Sequence, residues 1–189
     1  MFQVRFHGRG GQGAVTAAEL LSVAAFLEGK HAQAFPSFGP ERSGAPVMAF
    51  CRIDDRPIRL HEPIVEPDAV VVQDATLLHV VEVFQGLEPG GFALLNTNKS
   101  LDALGLADLV SRLPPDHARA VAASELARTY LGRPLANAAL LGALSALTGV
   151  VGIEAIVAAV AARFEGGARE GNTRAARAAF GAIAGGTPC

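Results

Sequence analysis

Cysteine is scarce here: the chain of 189 residues holds two, Cys51 and Cys189. Two thiols cannot build a disulfide framework. Nor can they hold an iron–sulfur cluster, which normally takes about four thiolates. Any redox metal in a reaction this chain serves must sit in another chain. Charge is sparse as well. Charged residues make up 18%, with 16 Lys+Arg against 18 Asp+Glu and a net charge of −2. There is no basic field to hold nucleic acid. No continuous apolar run opens the chain, because Phe2–His7 alternates, so no signal peptide is expected. Leu140 to Ala162 carries Glu154 as its only charge, but Gly149 and Gly152 interrupt it. Two Ala-rich helices packed inside a domain are expected there rather than a membrane span. The setting expected from these absences is cytoplasmic and reduced.

Familiar catalytic patterns are missing too. No Ser stands in a G-x-S-x-G elbow. His7, His31, His61, His79 and His117 are scattered without metal-ligand spacing. No catalytic residue and no metal site is assigned to this chain. What is abundant is apolar: hydrophobic residues reach 50%, which excludes disorder. The length suits one domain over residues 1–189.

Phe2, Val4 and Phe6 alternate with Gln3, Arg5 and His7, the period of a strand. Glycines follow from Gly8 to Gly13. Ala14 to Glu28 then reads as a helix that Gly29 stops. Further strands are expected at His31–Phe35, Val47–Ile53, Asp68–Asp74, Phe92–Asn96 and Ala118–Val121. Helices are expected at Leu77–Gln85, Leu101–Leu113 and Ser124–Leu131, and through most of the chain after Pro134. The predicted fold is α/β: a three-layer, Rossmann-like, mostly parallel sheet flanked by helices, with a helical C-terminal third.

Gly8-Arg9-Gly10-Gly11-Gln12-Gly13 satisfies G-x-G-x-x-G between a strand and a helix. Glycines let backbone N–H groups approach an anion, and the helix N-terminus adds partial positive charge. Arg9 can add a full charge. A phosphate or pyrophosphate is the expected guest. A nicotinamide dinucleotide would want an acid about 20 residues on, where this chain has Ala34-Phe35-Pro36-Ser37. A Walker loop would want Gly-Lys-Ser/Thr, where it has Gly13-Ala14-Val15. The bland alternative is a turn that only packs the helix on the sheet.

A second constellation, Pro36 to Gly44, holds Ser37, Glu41 and Arg42 in a loop expected at the same sheet edge. It is either a ligand or subunit face or a solvated Pro/Gly loop. A third, Asn96-Thr97-Asn98-Lys99-Ser100, offers Thr97 and its neighbours past a buried strand. It is either a binding edge or a cap and turn. Asn137 and Asn172 stand in Ala-rich helices and read as structural, and Cys51 as a buried core thiol.

Together these motifs identify a likeness. The glycine opening, the Pro36-Ser37-Phe38-Gly39-Pro40-Glu41-Arg42 loop and Pro67-Asp68-Ala69-Val70-Val71-Val72 lead it. Gly90-Gly91 before the strand to Asn96, Asn137 with Leu141-Gly142-Ala143, and Asn172 extend it. The chain resembles the gamma subunit of 2-oxoacid:ferredoxin oxidoreductases of the pyruvate/ketoisovalerate type. It departs from the pattern at Ser43-Gly44, where glycines are more usual. The resemblance implies a subunit of a complex that oxidatively decarboxylates a 2-oxoacid, forms an acyl-CoA and reduces ferredoxin. It implies thiamine diphosphate, Mg and iron–sulfur clusters in partner subunits: alpha, beta, and delta or a fused ferredoxin-like part. It implies coenzyme A (CoA) as the guest of this chain. The contacts would be Gly8, Arg9, Gly10, Gly11, Gln12 and Gly13, joined by Ser37, Glu41, Arg42 and Thr97. A homodimer through the orphaned interface is one outcome for the isolated chain. Two other readings stay open: a non-catalytic assembly subunit with a purely structural glycine turn, and a stand-alone nucleotide-binding domain.

Overall fold

The computed structural model describes residues 1–37 and 43–185. Six strands, β1 (Phe2–Arg9), β2 (His31–Pro36), β3 (Pro46–Asp54), β4 (Ala69–Val72), β5 (Phe92–Asn96) and β6 (Ala118–Val121), form one sheet. Its order is β2-β3-β1-β4-β5-β6. From β1 through β4 and β5 to β6 every pairing is parallel. β3 lies antiparallel to both β1 and β2, so β2 runs the same way as β1. Five strands thus point one way and β3 runs against them, inserted between the two strands that the first helix connects.

Helix α1 (Ala14–Leu27) follows β1 directly, and a Schellman motif ends it. Gly29 takes φ 79°, its N–H donates to Phe26 O, and Lys30 N–H donates to Ala25 O. The helical last third consists of α3 (Ala123–Leu131), α4 (Asn137–Thr148), α5 (Ile153–Arg163) and α6 (Gly166–Ala184). The apolar run from Leu140 to Ala162 is therefore two helices. Gly149 at φ 65° ends the first, and Ser145 Oγ donates to Val151 O at 2.7 Å across the turn. No helix among the described residues is long and apolar enough to cross a membrane.

Glycine decides how closely these helices cross. A Cβ on Gly142 of α4 would stand 2.0 Å from Ala176 O of α6, and one on Gly171 of α6 would stand 2.5 Å from Tyr130 O of α3. The backbones touch where a side chain would hold them apart. Helices α1, α3, α4, α5 and α6 bury one sheet face with Val4, Phe6, Cys51, Val71, Leu94 and Val121. Burial pushes the Cys51 thiol far up its scale, as an inert core thiol requires.

The opposite face has a thinner layer. Val70, Val72, Ala93 and Leu95 pack there against Leu77, Val83, Leu109 and Leu113. Two expected helices shrink on this side. Leu77–Gln85 is a single 3₁₀ turn at Ala75–His79 followed by tighter turns. The β-branched Val80, Val81 and Val83 favour that outcome. Leu101–Leu113 splits into a 3₁₀ turn at Asp102–Leu104 and α2 (Ala107–Arg112), because Gly105 adopts φ 73° between them.

The alternation of β1 does not divide core from solvent. Arg5 and His7 are also buried, under the layer of irregular chain. Arg5 Nε donates to His7 Nε2 at 3.0 Å. Its other nitrogens donate to the carbonyls of Ile64, Val65, Val83 and Gln85. One guanidinium, with no carboxylate beside it among the described residues, thus ties two loops to the sheet. Burial, and after it the Arg5 charge, lower the His7 pKa to about 4, so His7 accepts as neutral imidazole.

Candidate functional site

All the parallel strands end at one sheet edge, and the linkers there carry the singled-out residues. β1 runs through Gly8 and Arg9 before the turn begins, two residues later than the glycine count suggests. Gly10 then pairs with the return loop: its N–H donates to Ala45 O at 2.9 Å, and Gly44 N–H donates to Gly10 O at 3.1 Å. Gly11 at φ 93° and Gly13 at φ 79° turn the chain into α1. Both conformations favour glycine.

Arg9 and Gln12 close the turn from within. Arg9 N–H donates to Gln12 Oε1 at 2.8 Å, and Gln12 Nε2 donates to Asp74 Oδ2 at 2.9 Å. Arg9 Nε lies 3.2 Å from the same Asp74 oxygen. Arg9 Nη1 donates to Gly44 O at 3.0 Å and Nη2 to Thr76 Oγ1 at 2.7 Å. Asp74 follows β4 and accepts Thr76 N–H and Oγ–H on its other oxygen. Burial by itself would raise the Asp74 carboxyl. Hydrogen bonds from Thr76 and Gln12 and the Arg9 charge outweigh it, so the group sits below the ordinary aspartate range.

The Arg9 charge is therefore matched at the site. Positive potential remains in the backbone. Gly13 caps α1 and Ala136 caps α4, and among the described residues neither helix start has a side-chain cap hydrogen bond. The first-turn N–H groups of both helices carry the partial positive charge of a helix start.

Beneath the turn lies an amide pair. Gln73, 5% exposed, donates through Nε2 to Asn137 Oδ1 at 3.0 Å. Its Oε1 is buried without a partner among the described residues. That oxygen would stand 2.6 Å from a Cβ on Gly8, and Asn137 Nδ2 would stand 2.4 Å from one on Gly13. The first and last glycines of the motif make room for these two amides.

The remaining candidates spread along the same edge. Ser37, next after β2, donates its N–H to Met48 O at 2.9 Å. Thr97 accepts Lys99 N–H on Oγ1 at 3.1 Å, the turn geometry foreseen as one of its two readings. With neighbouring strands about 4.8 Å apart, Thr97 at the end of β5 stands two strands away from the glycine turn. Asn96 joins the two regions: Nδ2 donates to Gln73 O and to Ser124 Oγ, both at 2.8 Å, and Oδ1 accepts Ser124 N–H. A cavity of about 220 Å³ opens there, lined by Asn96, Thr97, Asn98, Ser124, Glu125 and Arg128. Phe38, Gly39, Pro40, Glu41 and Arg42 lie outside the described residues, as does Cys189. The described residues contain no group of three or more His, Cys, Asp or Glu that could hold a metal ion.

Sequence reasoning missed Asp74 and Gln73, which read as a strand boundary. It set Asn137 aside as structural. The signal for Asn137 was weak: a polar residue opening an otherwise apolar Ala/Leu helix.

The family model described as pyruvate ferredoxin/flavodoxin oxidoreductase matches residues 3–182. The common gamma subunit of pyruvate/ketoisovalerate oxidoreductases from Pyrococcus furiosus is 52% identical over 180 residues, covering 95% of this chain and 96% of the relative. The crystal structure of pyruvate oxidoreductase subunit PORC from Thermotoga maritima superposes with TM-score 0.79 at 36% identity, over 95% of this chain and 94% of that one. The 2-oxoglutarate:ferredoxin oxidoreductase of Magnetococcus marinus, solved with 2-oxoglutarate, coenzyme A and succinyl-CoA bound, shares the fold at TM-score 0.74 and 17% identity. There 97% of this chain corresponds to 31% of the longer one.

Proposed function

This chain belongs to the pyruvate ferredoxin/flavodoxin oxidoreductase family, and we propose that it is the gamma subunit of a cytoplasmic 2-oxoacid:ferredoxin oxidoreductase whose glycine-loop edge holds CoA. The complex would decarboxylate a 2-oxoacid, pass electrons to ferredoxin and release an acyl-CoA. Thiamine diphosphate, Mg and the iron–sulfur clusters would reside in the alpha, beta and delta-type partners. Two cysteines, one of them buried in the core, fit that division of labour.

One observation carries the CoA part. Two helix N-termini without side-chain caps among the described residues, those of α1 and α4, lie at the carboxyl edge of the sheet beside Gly11 and Gly13. Such N–H arrays take phosphate oxygens. CoA supplies a pyrophosphate, and a larger enzyme with this fold has been solved with CoA bound. CoA is therefore the first nucleotide to test. The chain's part is positioning and electrostatic holding. Within that role the Arg9 and Gln12 side chains hold the loop in shape through Asp74, and the backbone of Gly10 to Gly13 meets the phosphates. Ser37, Glu41, Arg42 and Thr97 complete the expected contact edge.

A second reading also has an observation in its favour. Arg9 and Gln12 are internally paired, as a turn serving only assembly would require. Anaerobic affinity purification of this chain from its host tests the subunit role. Brown material with iron, thiamine diphosphate, partner chains and CoA-dependent 2-oxoacid oxidation is expected. A colourless, solitary chain that complements no partner preparation would contradict it. A complex whose CoA dependence ignores charge placed in the glycine turn would leave the assembly reading standing.

A further inference from the structure

The glycine turn has a neighbour that the motif does not include. Asn137 is the first residue of α4, more than a hundred positions along the chain, yet its side chain lies over Gly13. Gln73 Nε2 donates to Asn137 Oδ1 at 3.0 Å, which leaves Asn137 Nδ2 facing the turn, 2.4 Å from where a Gly13 Cβ would be. Gln73 is itself held, its carbonyl accepting Asn96 Nδ2 at 2.8 Å and its N–H donating to His7 O at 2.7 Å. Gln73 is buried, whereas Asn137 is only partly covered. The inner amide is a fixed support and the outer one faces the site. Asn137 Nδ2 has no acceptor among the described residues, and the two helix starts beside it have no side-chain caps.

We propose that the Asn137 amide, oriented by Gln73, is a side-chain donor to the phosphate group that the glycine turn receives. The proposal rests on the reading of the turn as a CoA phosphate site and adds a donor from the far side of it. A neutral amide suits this position. Among the described residues the adjacent Arg9–Asp74 pair leaves no excess charge, and what they offer the anion is dipoles: backbone N–H groups, two helix ends and one carboxamide. Gln73 is then a positioning residue.

Asn137→Asp separates binding from structure. The carboxylate can still accept from Gln73, and a negative charge at the first position of α4 favours the helix. A merely structural Asn137 would therefore tolerate the change. A phosphate donor would not, since the donating nitrogen becomes a negatively charged oxygen. The measurement is KM for CoA and for the 2-oxoacid in the assembled complex, with the melting temperature of the variant chain. The expected result is a rise in CoA KM of about tenfold or more, from the loss of a hydrogen bond to a charged group. The 2-oxoacid KM and the melting temperature should be unchanged. Asn137→Ala should raise the CoA KM by less, because it removes the donor without adding charge. An unchanged CoA KM in both variants overturns the proposal, as does a lowered melting temperature with CoA KM intact. If Gly11→Asp raises the CoA KM and the Asn137 variants do not, the turn still binds CoA and only the Asn137 role falls. If none of them moves it, the CoA reading of the turn falls as well.

Discussion

Arg9 and Asp74 meet at 3.2 Å between the ends of β1 and β4, and the contact converts a loop charge into a loop clasp. The sequence invites Arg9 to be read as a phosphate ligand. In the fold its guanidinium reaches Asp74, Thr76 and the return loop at Gly44. The Arg9 charge is thus spent on holding the turn, and under the proposed CoA role the backbone N–H groups are left to meet the anion.

Replacing Asp74 by Asn tests the clasp through pH. The carboxyl is held below its ordinary range, so its stabilisation is fully present above an unfolded-state value of about 4 and is lost as pH falls through the folded value. For a partly exposed pair the contribution is about 1 kcal/mol or less. Urea unfolding should show a constant gap between wild type and Asp74→Asn from pH 7 to pH 5, narrowing by pH 3. A gap that persists undiminished at pH 3 would assign the loss to something other than the charge.

His7 gives the opposite end of the chain's acid response. Its folded pKa of about 4 lies below the ordinary histidine value. Between about 6.5 and 4 the unfolded chain binds the proton and the folded one does not, so stability falls as pH drops through that window and the loss is complete below it. The full effect is about 3 kcal/mol. His7→Gln keeps an acceptor for Arg5 and removes the titration. Its urea midpoint should change less than that of wild type between pH 7 and pH 5. Parallel changes in the two proteins would show that His7 does not carry the acid sensitivity.

Gly142→Ala tests the close crossing of α4 and α6. In an open helix interior the change would stabilise by about 1 kcal/mol. Here the new Cβ would stand 2.0 Å from the Ala176 carbonyl oxygen, and backbone cannot swing aside. A net loss of about 2 kcal/mol is expected from overpacking. Gly181→Ala in α6, where nothing lies within 4 Å, should be neutral or stabilising. Equal responses of the two variants in thermal melts would contradict the crossing.

The fold was legible wherever local pattern and burial agree. Val70–Val72 and Phe92–Asn96 are short apolar runs buried on both faces, and the Gly29 stop and the Gly149 break act through backbone conformation alone. β3 was visible as a strand but not in its direction, because antiparallel insertion between β1 and β2 depends on partners distant in sequence. The helix expected over Leu77–Gln85 is instead a 3₁₀ turn at Ala75–His79 and tighter turns after it, since apolar residues at this spacing fit either form. In the site, Gly8 to Gly13 announced itself through glycine spacing. Gln73, Asp74 and Asn137 could not, because their roles arise only when the ends of β4 and α4 arrive beside the turn.

The most direct test of the account is the CoA dependence of the assembled complex carrying Gly11→Asp, compared with Gly11→Asn. Gly11 has φ 93° and a Cβ there would meet nothing within 4 Å among the described residues. Asn and Asp tolerate positive φ better than most residues, so the two variants share a similar backbone strain and differ in one charge. CoA KM is expected about tenfold or more above wild type for Asp, little changed for Asn, with the 2-oxoacid KM unchanged for both. Equal CoA KM values for wild type and both variants, in complexes that assemble normally, would contradict the claim that this edge holds the CoA phosphates.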